Sequence, residues 1–260
     1  MVKVAQEDAN YFKFLGTAGA RFVMINQLRS SGGIWVNSAG TNILIDPGPG
    51  SIVRCAKSRP KLNPAKLEAI ILTHRHLDHS GDINVMIEAM TEGGFKKRGV
   101  VFCPPDAINE DPVILKHTLN FPKEICLLKE MQEYRVKDFV FNTSMAHRHP
   151  CQTYGLKFKI NGTSIGLIAD TGYFDGLSEF YKTDILIIDV VLLEKRPAIA
   201  HLCLDEAAEL IKAISPKKAY LTHFGMTMLK AKPHLKAAQL SDQLGIEVIA
   251  ATDGMLVSLA

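Results

Sequence analysis

No C-x-x-C pair occurs among the five cysteines, Cys55, Cys103, Cys126, Cys151 and Cys203, which are odd in number and scattered. That pattern speaks against a thiolate zinc site or a disulfide framework and fits a reducing cytoplasm, with each thiol read as a small buried residue. Long apolar runs are also missing. The longest, residues 185–193, is interrupted by Asp189. It falls far short of the roughly 20 residues of a membrane helix, so it reads as a buried strand and no membrane is expected. The first ten residues lack the apolar core of a signal peptide. Charge of one sign is scarce: 30 Lys and Arg against 27 Asp and Glu leave a net +3, too weak to call for nucleic acid or an anionic surface. No linker or low-complexity tract divides the chain, so one domain over residues 1–260 is expected. With 47% hydrophobic residues the chain can bury a sizeable core.

Within this frame, short apolar runs alternate with turn signals. Residues 36–46 read as two strands around Ser38-Ala39-Gly40-Thr41-Asn42, ended by Asp46-Pro47-Gly48-Pro49-Gly50. Asn63-Pro64 starts a short helix, and residues 69–73 form a strand. Residues 80–92 read as one helix closed by Gly93-Gly94. Residues 156–160 and 164–169 pair around Asn161-Gly162. Helices over 205–214 and 233–244 and strands over 219–222, 247–251 and 255–259 complete the pattern. Lid residues between Glu92 and Pro150 are expected to shape the pocket. A weak repeat is present: apolar strands run into Asp46-Pro47-Gly48 and Asp170-Thr171-Gly172, and later strands end in Leu72-Thr73-His74 and Leu221-Thr222-His223. It suggests two similar halves facing one another, with polar side chains at matching strand ends.

Nine histidines are present, and their distribution carries the chemistry. In Thr73-His74-Arg75-His76-Leu77-Asp78-His79, four potential ligands fall within six residues directly after an apolar strand. A loop there can aim closely spaced side chains into one pocket, and imidazole with carboxylate suits Zn²⁺, Mn²⁺ or Fe²⁺. Further candidates are His147 and His149 before a strand, Asp170 and His223 at strand ends, and His201 before a helix. His117 and His234 read as surface residues.

The ordered pattern H-x-H-x-D-H, lone His, strand-end Asp and strand-end His resembles the metallo-β-lactamase superfamily from about Phe14 onward. Leu15-Gly16-Thr17-Ala18-Gly19 and Leu44-Ile45-Asp46-Pro47-Gly48 look like its opening segments. His201-Leu202 before Asp205-Glu206-Ala207-Ala208, with Leu221-Thr222-His223-Phe224, is most similar to the tRNase Z and phosphodiesterase branch. The resemblance implies an α/β fold: a four-layer αββα sandwich of two mixed sheets packed face to face with helices outside. It also implies two divalent metal ions, Zn first, with Mn or Fe as alternatives. One would take His74, His76 and His149, the other Asp78, His79 and His223, with Asp170 bridging them. His149 is taken over His147 because the related pattern has a histidine five residues before an aromatic–Gly pair, here Tyr154-Gly155. Asp46 would be a structural aspartate behind the site, and Asp46 and Asp189 are candidates to receive ligand N–H groups.

The implied chemistry is hydrolysis by a metal-bridging hydroxide, with Asp78 orienting it and His201 as the catalytic acid or oxyanion donor. A phosphodiester substrate leads, small or short. A thioester or lactone hydrolase of the glyoxalase II kind and a non-catalytic metal-binding scaffold are the alternatives. Cys203 stands where the branch often has Ser or Thr, and as a poor N-cap it puts the local helix start in doubt. The basic runs Lys96-Lys97-Arg98, Lys217-Lys218 and Lys230, Lys232, Lys236 are short and read as solvated faces. Together with the absence of a basic insertion, they weigh against a large RNA. A homo-oligomer is left open.

Overall fold

The computed structural model describes residues 10–109 and 111–259. The leading residues, read above as lacking a signal-peptide core, lie outside the described residues apart from Asn10. Strands β1 (Tyr11–Phe14), β2 (Ile34–Ser38), β3 (Thr41–Ile45), β4 (Leu67–Ile71), β5 (Val100–Cys103) and β6 (Glu124–Leu127) build a first sheet. Strands β7 (Glu133–Val136), β8 (Phe139–Ala146), β9 (Tyr154–Ile160), β10 (Thr163–Ile168), β11 (Ile185–Asp189), β12 (Lys218–Thr222) and β13 (Glu247–Ala250) build a second. The last strand, β14 (Leu256–Ser258), returns to the first sheet. The orders are β14-β1-β2-β3-β4-β5-β6 and β13-β12-β11-β10-β9-β8-β7, seven strands each. Both are mixed: β3 to β6 and β10 to β13 run parallel, and the rest pair antiparallel.

Side-chain alternation separates the layers. On β3, Ile43 and Ile45 face inward with Phe12, Phe14, Ile71, Phe141, Leu156, Leu167, Ile187 and Tyr220, forming the core between the sheets. Leu44, one residue out of phase, packs outward with Trp35, Ile70, Ile83, Met86 and Met90. There it lies under α2 (Ser51–Lys57) and α4 (Ile83–Met90), which follow α1 (Ala20–Ile25) and are separated by the short α3 (Leu77–Ser80). The outer face of the second sheet packs Leu186, Ile188, Ala219 and Leu221 against Leu210, Ile211, Ala237 and Leu240. The last four belong to α6 (Leu204–Ile214) and α8 (Pro233–Leu244), which follow α5 (Leu177–Phe180) and are separated by the short α7 (Met226–Lys230). The result is the expected four-layer αββα sandwich of two mixed sheets.

Three local expectations need correction. The helix read over 80–92 is broken, because the Asp82 N–H bonds to Pro47 O (2.8 Å) and the Asp82 carboxylate accepts from Ile52 N (3.0 Å). Residues 92–150 do not form a pocket-shaping segment throughout: they supply β5 to β8, the outlying strands of both sheets. Cys203 does not displace the start of α6, since the Glu206 carboxylate accepts its N–H at 3.1 Å and closes the first turn in place of a hydroxyl cap. The two repeated segments lie in opposite sheets, but β3 and β4 are neighbours whereas β11 separates β10 from β12.

Candidate metal centre

Parallel strands present their carboxyl ends at one edge, and here two sheets do so at one seam. β3 runs into Asp46, β4 into Thr73 and His74, β10 into Asp170, and β12 into His223. Asp46 and His223 both adopt left-handed backbone (φ 53° and 59°), a conformation that costs a non-glycine residue about 1–3 kcal/mol and turns each side chain sharply off its strand. The turn after β8 brings His149 across, and the loop between β11 and α6 brings His201.

Asp170 lies at the middle of the cluster. Its Oδ2 is 3.6 Å from His74 Nε2, 3.5 Å from His79 Nε2 and 4.0 Å from His149 Nε2. Its Oδ1 is 3.3 Å from His201 Nδ1 and 3.5 Å from His223 Nε2. On one side, His74, His76 and His149 converge, with His76 Nδ1 2.9 Å from His149 Nε2. On the other, Asp78, His79 and His223 converge, with His79 Nε2 3.2 Å from His223 Nε2 and His223 Nε2 3.4 Å from Asp78 Oδ2.

The atoms behind the imidazoles decide which nitrogen faces the centre. Asp46 accepts from Thr73 N and from Thr73 Oγ1, both at 2.7 Å, and from His79 Nδ1 at 3.0 Å. A hydroxyl that donates to a carboxylate can only accept from its other neighbour, so His74 Nδ1, 3.1 Å from Thr73 Oγ1, is the donor there. Asp46 therefore leaves Nε2 bare in both His74 and His79. The Nδ1 of His149 donates to Ala200 O at 3.1 Å, again leaving Nε2 bare. Asp78 Oδ2 accepts the backbone N–H of Ala20 at 3.1 Å, which ties the start of α1 to the cluster.

These residues could hold divalent cations. Zn–N bonds of about 2.0–2.1 Å in tetrahedral geometry place neighbouring nitrogens about 3.3 Å apart, close to the observed 2.9 and 3.2 Å. His74 Nε2 and Asp170 Oδ1 are buried without a hydrogen-bond partner, as expected of lone pairs directed at a cation. The charge field agrees. Burial pushes His74 and His76 down and His149 down to about 4, keeping them neutral, the form that ligates. Burial also opposes charge on His79 and His223, yet the surrounding carboxylates, Asp46 for His79 and Asp170 for His223, outweigh it, and His223 is pushed up to about 10. A field that favours a proton there favours a divalent cation more. Asp189, buried beside His223, is pushed up to about 7 by desolvation.

The structure thus brings together His74, His76, Asp78, His79, His149, Asp170, His201 and His223. His147 is buried beside them, with its ring nitrogens on Asp170 O and Tyr181 Oη, and burial pushes it down to about 4. His117 and His234 are exposed. Two features escaped the sequence. Cys151 joins His74, His76 and His149, with the four ligand atoms within 4.8 Å of one another; it and Cys126 are only partly buried. Tyr181 reaches the back of the cluster from the end of α5, and no local pattern announces it.

The sequence matches the family described as the β-lactamase superfamily domain over residues 41–224. An uncharacterized protein of Methanocaldococcus jannaschii is 30% identical over 256 residues, covering 95% of this chain and 94% of that protein. Among solved structures, the metallo-β-lactamase fold protein YhfI of Bacillus subtilis superposes with a TM-score of 0.77 at 18% identity, covering 97% of this chain and 100% of that one. The short form of human tRNase Z superposes with a TM-score of 0.70 at 20% identity, covering 96% and 99%. Sequence match, sandwich and clustered His and Asp side chains agree: the chain belongs to the β-lactamase superfamily, a family made up mostly of metal-dependent hydrolases.

Proposed function

We propose that the chain is a binuclear metal-dependent phosphodiesterase whose single hydrolase domain spans residues 1–260. His74, His76 and His149 would hold one ion and Asp78, His79 and His223 the other, with Asp170 available to both. The observation that carries this reading is the convergence of five imidazoles on the Asp170 carboxylate, between 3.3 and 4.0 Å from it. Two such ions, Zn²⁺ or in its place Mn²⁺ or Fe²⁺, would supply Lewis acidity to the electrophile and lower the pKa of a water towards neutrality.

The chain's own residues supply orientation and protons. Asp78, its Oδ2 fixed by Ala20 N, would orient the attacking water. His201 is held above its ordinary value: burial opposes its charge, and the adjacent Asp170 carboxylate more than offsets this. Its Nδ1 faces Asp170, so Nε2–H is the proton that passes to the leaving oxygen. This favours a phosphodiester over a thioester. A departing alkoxide is strongly basic and needs that proton, whereas a thiolate leaves unaided.

Tandem basic side chains are engaged locally: Lys96 with Glu92, Lys217 with Asp184 and Lys218 with Glu247, at 2.8–2.9 Å. That favours a small or short diester over a long RNA. Five free cysteines fit a reducing compartment, the cytoplasm. Among the described residues no helix is long and apolar enough to cross a membrane. The test is a substrate panel with Zn²⁺, Mn²⁺ and Fe²⁺ supplied separately. Bis-p-nitrophenyl phosphate should be hydrolysed, and Asp170→Ala and His76→Ala should each abolish turnover. Cleavage of S-lactoylglutathione without diester turnover would overturn the reading.

A further inference from the structure

Asp170 is held from behind by a buried polar chain that belongs to neither group of ligands. His147 Nδ1 lies 3.2 Å from the Asp170 carbonyl oxygen, and its Nε2 lies 2.8 Å from Tyr181 Oη. A carbonyl only accepts, so Nδ1 carries the hydrogen, Nε2 is bare, and the Tyr181 hydroxyl donates to it. The order of donors is therefore fixed from end to end: Tyr181 O–H to His147, His147 N–H to the backbone of Asp170. The same residue also anchors a neighbour, because His147 O accepts the His149 N–H at 3.0 Å.

Room for this chain is made elsewhere in the sequence. Tyr181 is fully buried. A Cβ at Gly155 would come within 1.7 Å of its hydroxyl oxygen and 2.6 Å of Leu167 O, so only glycine lets the phenol reach His147. Gly155 N in turn donates to Ser144 Oγ at 2.9 Å. Gly155 thus has a physical reason that involves neither substrate nor cation.

We infer that Tyr181 and His147 are positioning residues that set the Asp170 carboxylate between the two ligand groups by holding its own carbonyl. This rests on reading Asp170 as the shared ligand. Metal–ligand distances tolerate only about 0.2 Å, so a displacement of a few tenths of an ångström at residue 170 is felt on both sides. Without the phenol hydroxyl, Nε2 loses its donor and only the bond to the Asp170 carbonyl is left to hold the ring and its tautomer. The alternative tautomer points a bare Nδ1 at the Asp170 carbonyl, and two acceptors 3.2 Å apart repel.

Tyr181→Phe and His147→Phe each remove the bonds while keeping a ring in place. The measurements are metal affinity by chelator competition, the visible spectrum of the Co²⁺-substituted protein, and the Tm without added metal. The expected result is an affinity roughly 10–100-fold weaker in either variant, with an altered Co²⁺ d–d envelope, at two bound equivalents in the wild type. Variants with a lower Tm but wild-type affinity and spectrum would show a merely structural role and overturn the inference. If one variant does not fold, the other decides by the same readouts. Wild-type protein that fails to bind two equivalents overturns the reading of the centre and this inference with it. Two equivalents in the wild type with unaffected variants overturn the inference alone.

Discussion

Replacing Asp46 by Asn exchanges one carboxylate oxygen for an amide nitrogen at nearly constant volume, in a side chain that accepts three hydrogen bonds. No placement of the amide keeps all three. With the oxygen at the Oδ2 position, the NH₂ faces the Thr73 backbone N–H, and a buried donor loses its acceptor. With the oxygen at Oδ1, the NH₂ faces Thr73 Oγ1 and His79 Nδ1. His79 can then accept only by moving its hydrogen to Nε2, the nitrogen that faces His223 at 3.2 Å. A protonated Nε2 cannot bind a cation. The first placement costs at least one bond to a charged acceptor, about 1.5–3 kcal/mol. The second placement instead disturbs the tautomers of His79 and, through Thr73, of His74, and metal affinity should then fall roughly 10–100-fold. Urea unfolding without metal measures the first quantity, and chelator competition the second. An Asp46→Asn protein with wild-type stability and wild-type affinity for both equivalents would refute the assignment of these tautomers.

Other consequences follow from single residues. His201→Gln should retain two equivalents of metal and lower kcat on an alkyl phosphodiester by about 10²–10⁴-fold. The loss should be much smaller on a p-nitrophenyl ester, whose leaving group needs no acid, and equal losses on both would contradict the role given to His201. At Gly19, a Cβ would lie 1.9 Å from His223 O and 2.9 Å from its Cδ2; Gly19→Ala should therefore lower both Tm and metal content, read by calorimetry and elemental analysis. The Asp184 carboxylate accepts from Ser164 Oγ and N and pairs with Lys217 at 2.9 Å, which together hold it well below its usual range. A depressed carboxylate stabilises the fold above its unfolded pKa and loses that contribution as pH falls through the folded one. Asp184→Asn should therefore cost about 1 kcal/mol at neutral pH, a charged hydrogen bond discounted for solvent screening. The cost should begin to shrink below about pH 4 and decline progressively towards the depressed folded pKa, and a difference at about pH 2 as large as that at neutral pH would contradict the assignment.

Legibility in the sequence followed the range of the interactions. His74, His76, Asp78 and His79 sit in one loop, so spacing alone reveals them. Asp170 and His223 are single residues at strand ends and were readable only through their order along the chain. The core strands were legible because both faces are apolar, as in Ile185–Asp189. By contrast, β6 (Glu-Ile-Cys-Leu) is exposed at both its ends, and no local signal marked it. The break between α3 and α4 comes from Asp82 bonding to Pro47 and Ile52, residues on a distant loop and helix. Tyr181 was invisible for the same reason, since its partners His147 and Gly155 meet it only through the packing of the second sheet.

The most direct test of the centre is anomalous diffraction at the zinc edge from crystals grown with Zn²⁺. Two peaks about 3.5–4 Å apart are expected on either side of the Asp170 carboxylate, one within reach of His74, His76 and His149 and the other of Asp78, His79 and His223. A single peak, or peaks remote from Asp170, would contradict a shared binuclear centre.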